Sequence, residues 1–178
     1  MRYLKKEILS TLEKKMVFIG GPRQVGKTTF CLTFLKSHLP EDNPAYFNWD
    51  DLNSRSNLKK GLLPNEKVLC FDEIHKFKAW RSLVKGFYDV KKNKHQFLVT
   101  GSARLDHYRK GGDSLMGRYR YFRLHPFSLS ELGSFSKETL NKLIKFGGFP
   151  EPLFSESEKE LRLWQKERNY RIVNDDIR

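Results

Sequence analysis

The stretch Gly20-Gly21-Pro22-Arg23-Gln24-Val25-Gly26-Lys27-Thr28-Thr29 decides the fold of this 178-residue chain. Its core has the form Gly-x-x-x-x-Gly-Lys-Thr, the pattern of a phosphate-binding loop. The glycines allow successive backbone N–H groups to curl inward and form a concave anion cradle. Lys27 is then placed to reach the β- and γ-phosphates, and the Thr28 hydroxyl to ligate Mg²⁺. We therefore expect residues Gly21 to Thr29 to bind a nucleoside triphosphate and its magnesium ion.

Apolar segments on both sides of this loop support the interpretation. Met16–Ile19 is a short apolar run that predicts a buried strand leading into the loop. Thr29–Leu35 continues beyond the loop with apolar residues at helical spacing. A strand, a glycine-rich loop and a helix are the setting that the motif requires.

Short apolar runs recur along the chain, separated by helical or polar stretches, and predict further strands at Pro44–Asn48, Lys67–Phe71 and Gln96–Thr100. Arg118–Leu124 alternates like a fifth strand. Trp80–Val90 has the apolar spacing of a helix. Alternation of strands and helices predicts an α/β fold, with helices on both faces of a parallel sheet. We expect a three-layer αβα sandwich around a parallel five-stranded sheet, followed by C-terminal helices.

The last third of the chain changes to a helical pattern after Ser128–Leu132, and Glu158 to about Val173 resembles one charged amphipathic helix. The expected domain organisation is an ATPase-like core over residues 1–132 and a helical extension over residues 133–178.

Two carboxylates, Asp72 and Glu73, follow the apolar run Val68–Phe71. This order places both at the carboxyl edge of the sheet, where open α/β sheets hold their ligands. Asp72 would orient the magnesium ion, because Mg²⁺ favours oxygen ligands and keeps several waters. Glu73 would act as the general base that polarises the attacking water. A water-activating base favours a hydrolase over a kinase.

Two further catalytic roles have more than one candidate in the sequence. A polar residue that aligns the water could be Ser102 or Thr100, which follow the fourth predicted strand. An arginine that neutralises charge in the transition state could be Arg104 or Arg118, and Arg118 is the better candidate.

Other segments bear on which nucleobase is bound and on the roles of several polar residues. Asn93-Lys94-His95-Gln96 lacks the final acidic residue of a guanine-reading Asn-Lys-x-Asp, so ATP is preferred over GTP. Helix capping is the simpler role for Asp50 and Asp51. His75 and Lys76 could sense the nucleotide state, although a structural role for His75 is favoured.

The formal charge of +13 is concentrated in the middle of the chain. Residues 55–125 hold 17 Lys/Arg against 6 Asp/Glu, and residues 126–178 hold 9 against 9. A basic segment of this kind fits DNA or RNA as a partner, but it equally fits an arginine-rich nucleotide site or a solvated face. No helix-turn-helix or zinc-finger pattern accompanies the charge.

Composition indicates a cytoplasmic protein with a packed core. Hydrophobic residues make up 38% and aromatic residues 13%, including 14 Phe. No apolar stretch approaches the ~20 residues of a membrane span, and the N-terminus lacks a secretion signal. Cys31 and Cys70 lie in apolar runs without metal-ligand spacing, which is typical of buried thiols in a reducing compartment.

Several motifs together resemble the prokaryotic AAA+-type ATPases whose N-terminal ATPase domain precedes a C-terminal domain of unknown function. The resemblance spans essentially the whole chain and rests on Gly20–Thr29, Tyr46–Asp51, Phe71–Lys76, Val99–Arg104, Met116–Arg118 with Leu124–Ser128, and Gly147–Glu151. It implies Walker A and Walker B motifs, Mg-ATP as the ligand and self-association. Members of this family continue into a winged-helix-like part beyond the helix that ends here at Asn174–Arg178, so we expect this chain to be the ATPase domain alone.

Two functional classes remain after this reading of the sequence. The first is an ATP hydrolase with Lys27, Glu73, Ser102 and Arg118 as its catalytic residues. The second is a nucleotide-controlled switch with little turnover alone, whose basic face holds nucleic acid or a protein. A kinase lacks support because no acceptor-site motif or lid is evident.

Overall fold

The computed structural model describes residues 2–37, 39–40, 42–101 and 115–176. It divides into two compact units, one of Tyr3–His125 and one of Met1–Arg2 with Pro126–Arg178. The division between the units therefore precedes the domain boundary at residue 132 that we predict from sequence, and that boundary stays a prediction.

The first unit contains a parallel five-stranded sheet, which confirms the predicted α/β fold. Its strands are β1 (Met16–Gly20), β2 (Tyr46–Asn48), β3 (Val68–Asp72), β4 (Gln96–Thr100) and β5 (Tyr119–Arg123). Their spatial order is β2-β3-β4-β1-β5, and every neighbouring pair is parallel. β1 is buried along its whole length, as expected for a central strand covered on both faces.

The described residues of the first unit form four helices beside the sheet: α1 (Lys5–Leu12), α2 (Lys27–Leu32), α3 (Leu52–Lys60) and α4 (Trp80–Lys91). Asp51 caps α3 by accepting a hydrogen bond from the backbone N–H of Ser54, which is the role expected for this residue. Val84 and Phe87 of α4 are buried, but Val90 is 81% exposed. The apolar spacing therefore continues past the last turn of α4 that packs on the core.

The core of the first unit is aromatic around Phe71 of β3. The Phe71 ring lies 5.7 Å from the ring of Phe47 and 5.8 Å from those of Phe87 and Phe97. Two of these rings come from the neighbouring strands β2 and β4, and the third comes from α4. The phenylalanine-rich composition thus serves to fix β3, the strand that carries the paired carboxylates, between its neighbours.

The sheet order brings three chain segments together at one edge. Because β4 lies between β1 and β3, its last residue Thr100 stands between the loop after Gly20 and the carboxylates after β3. Parallel strands end at the same edge, so side chains distant in sequence meet there.

The described residues of the second unit form a 3₁₀ turn (Leu129–Leu132), helices α5 (Lys137–Phe146), α6 (Pro150–Ser155) and α7 (Glu158–Arg171), and a π-helical segment (Ile172–Asp176). Gly148, before α6, has a steric function, since a Cβ added there would overlap the carbonyl oxygen of Phe127. The backbone N–H of Phe127 also donates to the Gly148 carbonyl at 2.6 Å. The Arg2 guanidinium lies over the Phe127 ring at 4.1 Å.

Candidate functional site

The loop between β1 and α2 has the backbone geometry of an anion cradle. Gly26 precedes α2 with φ 88°, and Gln24 has φ 62°, so two residues of the loop are left-handed. Such alternation turns neighbouring N–H groups toward a common point. Gly21 has φ 144°, and a Cβ at this position would overlap the carbonyl oxygen of Leu124, just after β5. The start of the phosphate loop therefore packs directly against the backbone that follows β5.

Replacement of Gly21 by alanine is expected to destabilise the protein. The added methyl group meets a backbone carbonyl that cannot rotate away, and the positive φ adds strain of about 1–3 kcal/mol. We expect the midpoint of thermal unfolding to fall by roughly 5–10 °C. Gly86→Ala is the control, because its Cβ meets nothing within 4 Å in α4 and alanine favours helix by up to ~1 kcal/mol. A Gly21→Ala midpoint equal to wild type would contradict the packing described here.

The Lys27 side chain lies over the loop rather than pointing to solvent. Its residue is only 8% exposed, and Nζ donates to the carbonyl oxygens of Gly21 at 3.2 Å and Pro22 at 2.9 Å. Burial lowers the pKa of Lys27, and the nearby carboxylates of Glu73 and Asp72 oppose this effect. The structure thus places one ammonium group at the centre of the cradle, beside the two carboxylates.

Asp72 is the hub of the polar network at this edge. It is 3% exposed, and its carboxylate accepts hydrogen bonds from the hydroxyls of Thr28 at 2.7 Å, Tyr46 at 2.7 Å and Thr100. Burial and the adjacent Asp72 carboxylate raise the pKa of Tyr46, so its phenol remains a donor. The loop, β2, β3 and β4 each contribute one group to the network.

The chemistry of this donor set fits a magnesium ion. Thr28 Oγ1 and Asp72 Oδ2 lie 2.7 Å apart, next to the phosphate loop, and both are hard oxygen ligands of the kind that Mg²⁺ prefers. Thr28 and Asp72 are the residues that would hold the ion, directly or through its water shell.

Glu73 lies beside this network in an unusual backbone conformation. Its φ of 56° and ψ of 17° are left-handed, which costs energy for a residue other than glycine and is common at functional sites. The side chain is 28% exposed, and its Oε2 lies 3.4 Å from Nζ of Lys76 and 3.8 Å from Nε2 of His75. The carboxylate is thus accessible and held from one side.

Arg118 is the predicted site residue that the structure places elsewhere. Its carbonyl accepts from the backbone N–H of Met16, the first residue of β1, so Arg118 lies at the amino edge of the sheet. One strand of five residues, about 15 Å, separates it from the loop. Its Nε and Nη2 donate to both carboxylate oxygens of Asp89, at 2.7 and 3.2 Å. Ser102 and Arg104 lie outside the described residues.

Tyr46 is the site residue that the motif analysis of the phosphate loop missed. Its phenol is part of the Asp72 network, yet a tyrosine in a short apolar run is usually read as core. No signal in the sequence singles it out, because the contact depends on β2 lying beside β3 in the sheet.

A parallel α/β sheet with a phosphate loop after one strand and paired carboxylates after another defines the class of P-loop ATPases. The chain belongs to the AAA-domain family, whose match covers residues 13–133. The resemblance inferred from the motifs is thereby confirmed.

The chain is also similar to individual proteins in sequence and in fold. The chain is 29% identical over 168 residues to the uncharacterized protein MJ1544 of Methanocaldococcus jannaschii, covering 80% of this chain and 37% of the relative. Among solved structures it is similar to RuvB of Thermotoga maritima, a Holliday junction branch migration motor, with a TM-score of 0.51 at 20% identity. That match covers 96% of this chain and 62% of RuvB, and it shows the fold. A variant of the same motor gives a TM-score of 0.48 at 19% identity.

Among the described residues, no helix is both long and apolar enough to cross a membrane.

Proposed function

We propose that this AAA-type P-loop domain binds Mg-ATP and hydrolyses it. The observation that carries the proposal is the convergence of Lys27, Asp72 and Glu73 at one edge of the sheet. Thr28, the residue after Lys27, donates to Asp72 at 2.7 Å, and Glu73 follows Asp72 directly in the chain. A phosphate binder alone has no need of an accessible glutamate beside its loop.

Each of these side chains has a distinct part in the proposed reaction. The loop N–H groups and Lys27 bind the phosphate oxygens, with Lys27 exchanging its carbonyl partners for phosphates. Thr28 and Asp72 hold the metal, which supplies charge neutralisation to the phosphates when bound. Tyr46 and Thr100 orient Asp72 by donating to its oxygens. Glu73 accepts a proton from the attacking water.

The test of the proposal begins with nucleotide binding by calorimetry, with Mg²⁺ and with EDTA. We expect ATP to bind more tightly with Mg²⁺ and this difference to shrink in Asp72→Asn. ATP should also compete successfully against GTP, since no guanine-reading motif is present. Equal affinity for ATP with and without Mg²⁺ in the wild type would remove Thr28 and Asp72 from the proposed metal site.

A second candidate function is contact with nucleic acid through the basic middle of the chain. The supporting observation is that Lys59, Lys60 and Lys78 are exposed within the segment of net charge +11. RuvB, which shares the fold, is described as a motor acting on Holliday junctions. We propose that these lysines contact the phosphate backbone of a nucleic acid. This contact would link ATP turnover to the nucleic-acid partner.

Binding to duplex DNA should depend steeply on salt if this second proposal holds. About four phosphate contacts would lower the affinity on the order of 100-fold between roughly 50 and 200 mM salt. The double variant Lys59→Gln with Lys60→Gln should reduce that slope, measured by fluorescence anisotropy. Lys159→Gln with Lys166→Gln in the charge-balanced second unit is the matched control. The same slope in both double variants would refute a contact through α3.

Two further proposals concern assembly and compartment. We propose that the chain self-associates, and that Arg118 acts on a neighbouring copy, since it lies far from the loop of its own chain. Arg118 thus remains a prediction as a catalytic residue. Cys31 and Cys70 are free and buried, which supports the proposal that the protein works in a reducing cytoplasm.

A further inference from the structure

Lys76 connects Glu73, the proposed general base, with Asp50 in the turn after β2. Its Nζ lies 3.4 Å from Oε2 of Glu73 and 2.5 Å from Oδ2 of Asp50. Burial lowers the pKa of Lys76, but the hydrogen bonds and charges of Asp50 and Glu73 outweigh burial and raise it. The side chain is therefore an ammonium group shared by two carboxylates.

Asp50 is a fixed anchor for this lysine. Its backbone N–H donates to Asn48 Oδ1 at 3.0 Å, and its carbonyl accepts from Arg55 Nη2 at 3.3 Å. The preceding residue, Trp49, donates its N–H to the carbonyl of Asp72 at 2.9 Å. The turn that holds Asp50 is thus tied by backbone to the residue directly before Glu73.

Glu73 is held on one oxygen. Among the described residues, Nζ of Lys76 and Nε2 of His75 both approach Oε2, at 3.4 and 3.8 Å. The left-handed backbone of Glu73 and the buried Ile74 that follows it fix where the side chain starts. A cation that engages Oε2 then selects one rotamer and leaves Oε1 to meet a water molecule.

We propose that Lys76, anchored by Asp50, is a positioning residue that orients Glu73 for water activation. This proposal rests on the proposed hydrolase function and adds a residue that holds the general base in place. Lys76 touches neither phosphate nor water in this account; it acts through Glu73. Misplacing a catalytic group by about 1 Å can cost on the order of 100-fold in rate, so a loose Glu73 would be a poor base.

The kinetic test compares Lys76→Met, Lys76→Arg, Asp50→Asn and the control Lys36→Met, an exposed lysine that also pairs with a carboxylate, that of Glu66 at 2.8 Å, outside the site. We expect Lys76→Met to lower kcat about 10- to 100-fold with ATP affinity unchanged, Lys76→Arg to restore most of it, and Asp50→Asn to have a smaller effect. In a Glu73→Gln background, Lys76→Met should add nothing. An added loss in that background, or wild-type kcat in Lys76→Met, would overturn the proposal.

A measurement without nucleotide checks the contact itself. The Lys76 ammonium, followed by ¹⁵N–¹H correlation at Nζ and assigned with Lys76→Met, should change its signal in both Glu73→Gln and Asp50→Asn. A signal indifferent to Glu73→Gln would overturn the proposal even if the enzyme is active. Absence of turnover in the wild type at saturating Mg-ATP would overturn the hydrolase function, and the positioning role with it. Wild-type turnover with an insensitive Lys76 variant would overturn the positioning role alone.

Discussion

Lys27→Ala is expected to abolish measurable ATP binding. The Lys27 ammonium is the only charged group of the loop that lies buried among the described residues of the cradle. Its charge-assisted hydrogen bonds to two phosphates would contribute about 1.5–3 kcal/mol each. Their loss therefore lowers the affinity about 100-fold or more, which calorimetry with Mg-ATP measures directly.

A matched control separates this effect from a general loss of positive charge. Lys36→Ala removes an exposed lysine that pairs with Glu66 at 2.8 Å and should leave ATP affinity unchanged. Circular dichroism would establish that Lys27→Ala remains folded, since this variant also gives up two hydrogen bonds to loop carbonyls. Tight ATP binding by folded Lys27→Ala would contradict the assignment of the phosphate-binding site.

Glu73→Gln is expected to remove turnover while ATP still binds. Glutamine keeps the size of the side chain but cannot accept a proton from water as a carboxylate does. Loss of a general base typically lowers the rate about 10²- to 10⁴-fold, which phosphate release under saturating ATP would measure. ATP affinity should stay within a few-fold of wild type, because Glu73 is not part of the phosphate cradle.

Glu66→Gln is a suitable control for that experiment, since Glu66 pairs with Lys36 outside the site and should not affect the rate. Wild-type turnover in Glu73→Gln would show that another residue acts as the general base. It would also favour the reading of the chain as a nucleotide-controlled switch.

The strands could be predicted from sequence because the first four are short apolar runs and β5 alternates between polar and apolar residues. Gln96–Thr100 coincides with β4 as predicted, and the other strands differ only at their ends. The phosphate loop could be predicted equally well, because local geometry alone requires its glycines and Lys27. Asp72 and Glu73 followed from the position of two carboxylates at the end of a buried strand.

The partners of those residues could not be predicted because they depend on the order of strands in the sheet. Tyr46 reaches Asp72 only because β2 lies beside β3, and Asp50 reaches Lys76 for the same reason. The location of Arg118 depends on the sheet in the same way. Arg118 precedes β5 at the amino edge and pairs with Asp89, and its catalytic role stays a prediction.

The central claim, that this domain hydrolyses Mg-ATP with the residues at the carboxyl edge of its sheet, is tested most directly by phosphate release from ATP by the purified wild-type chain. Phosphate release should require Mg²⁺ and stop with EDTA, at ATP concentrations where calorimetry shows the site to be filled. Bound ATP without any Mg²⁺-dependent release would contradict it.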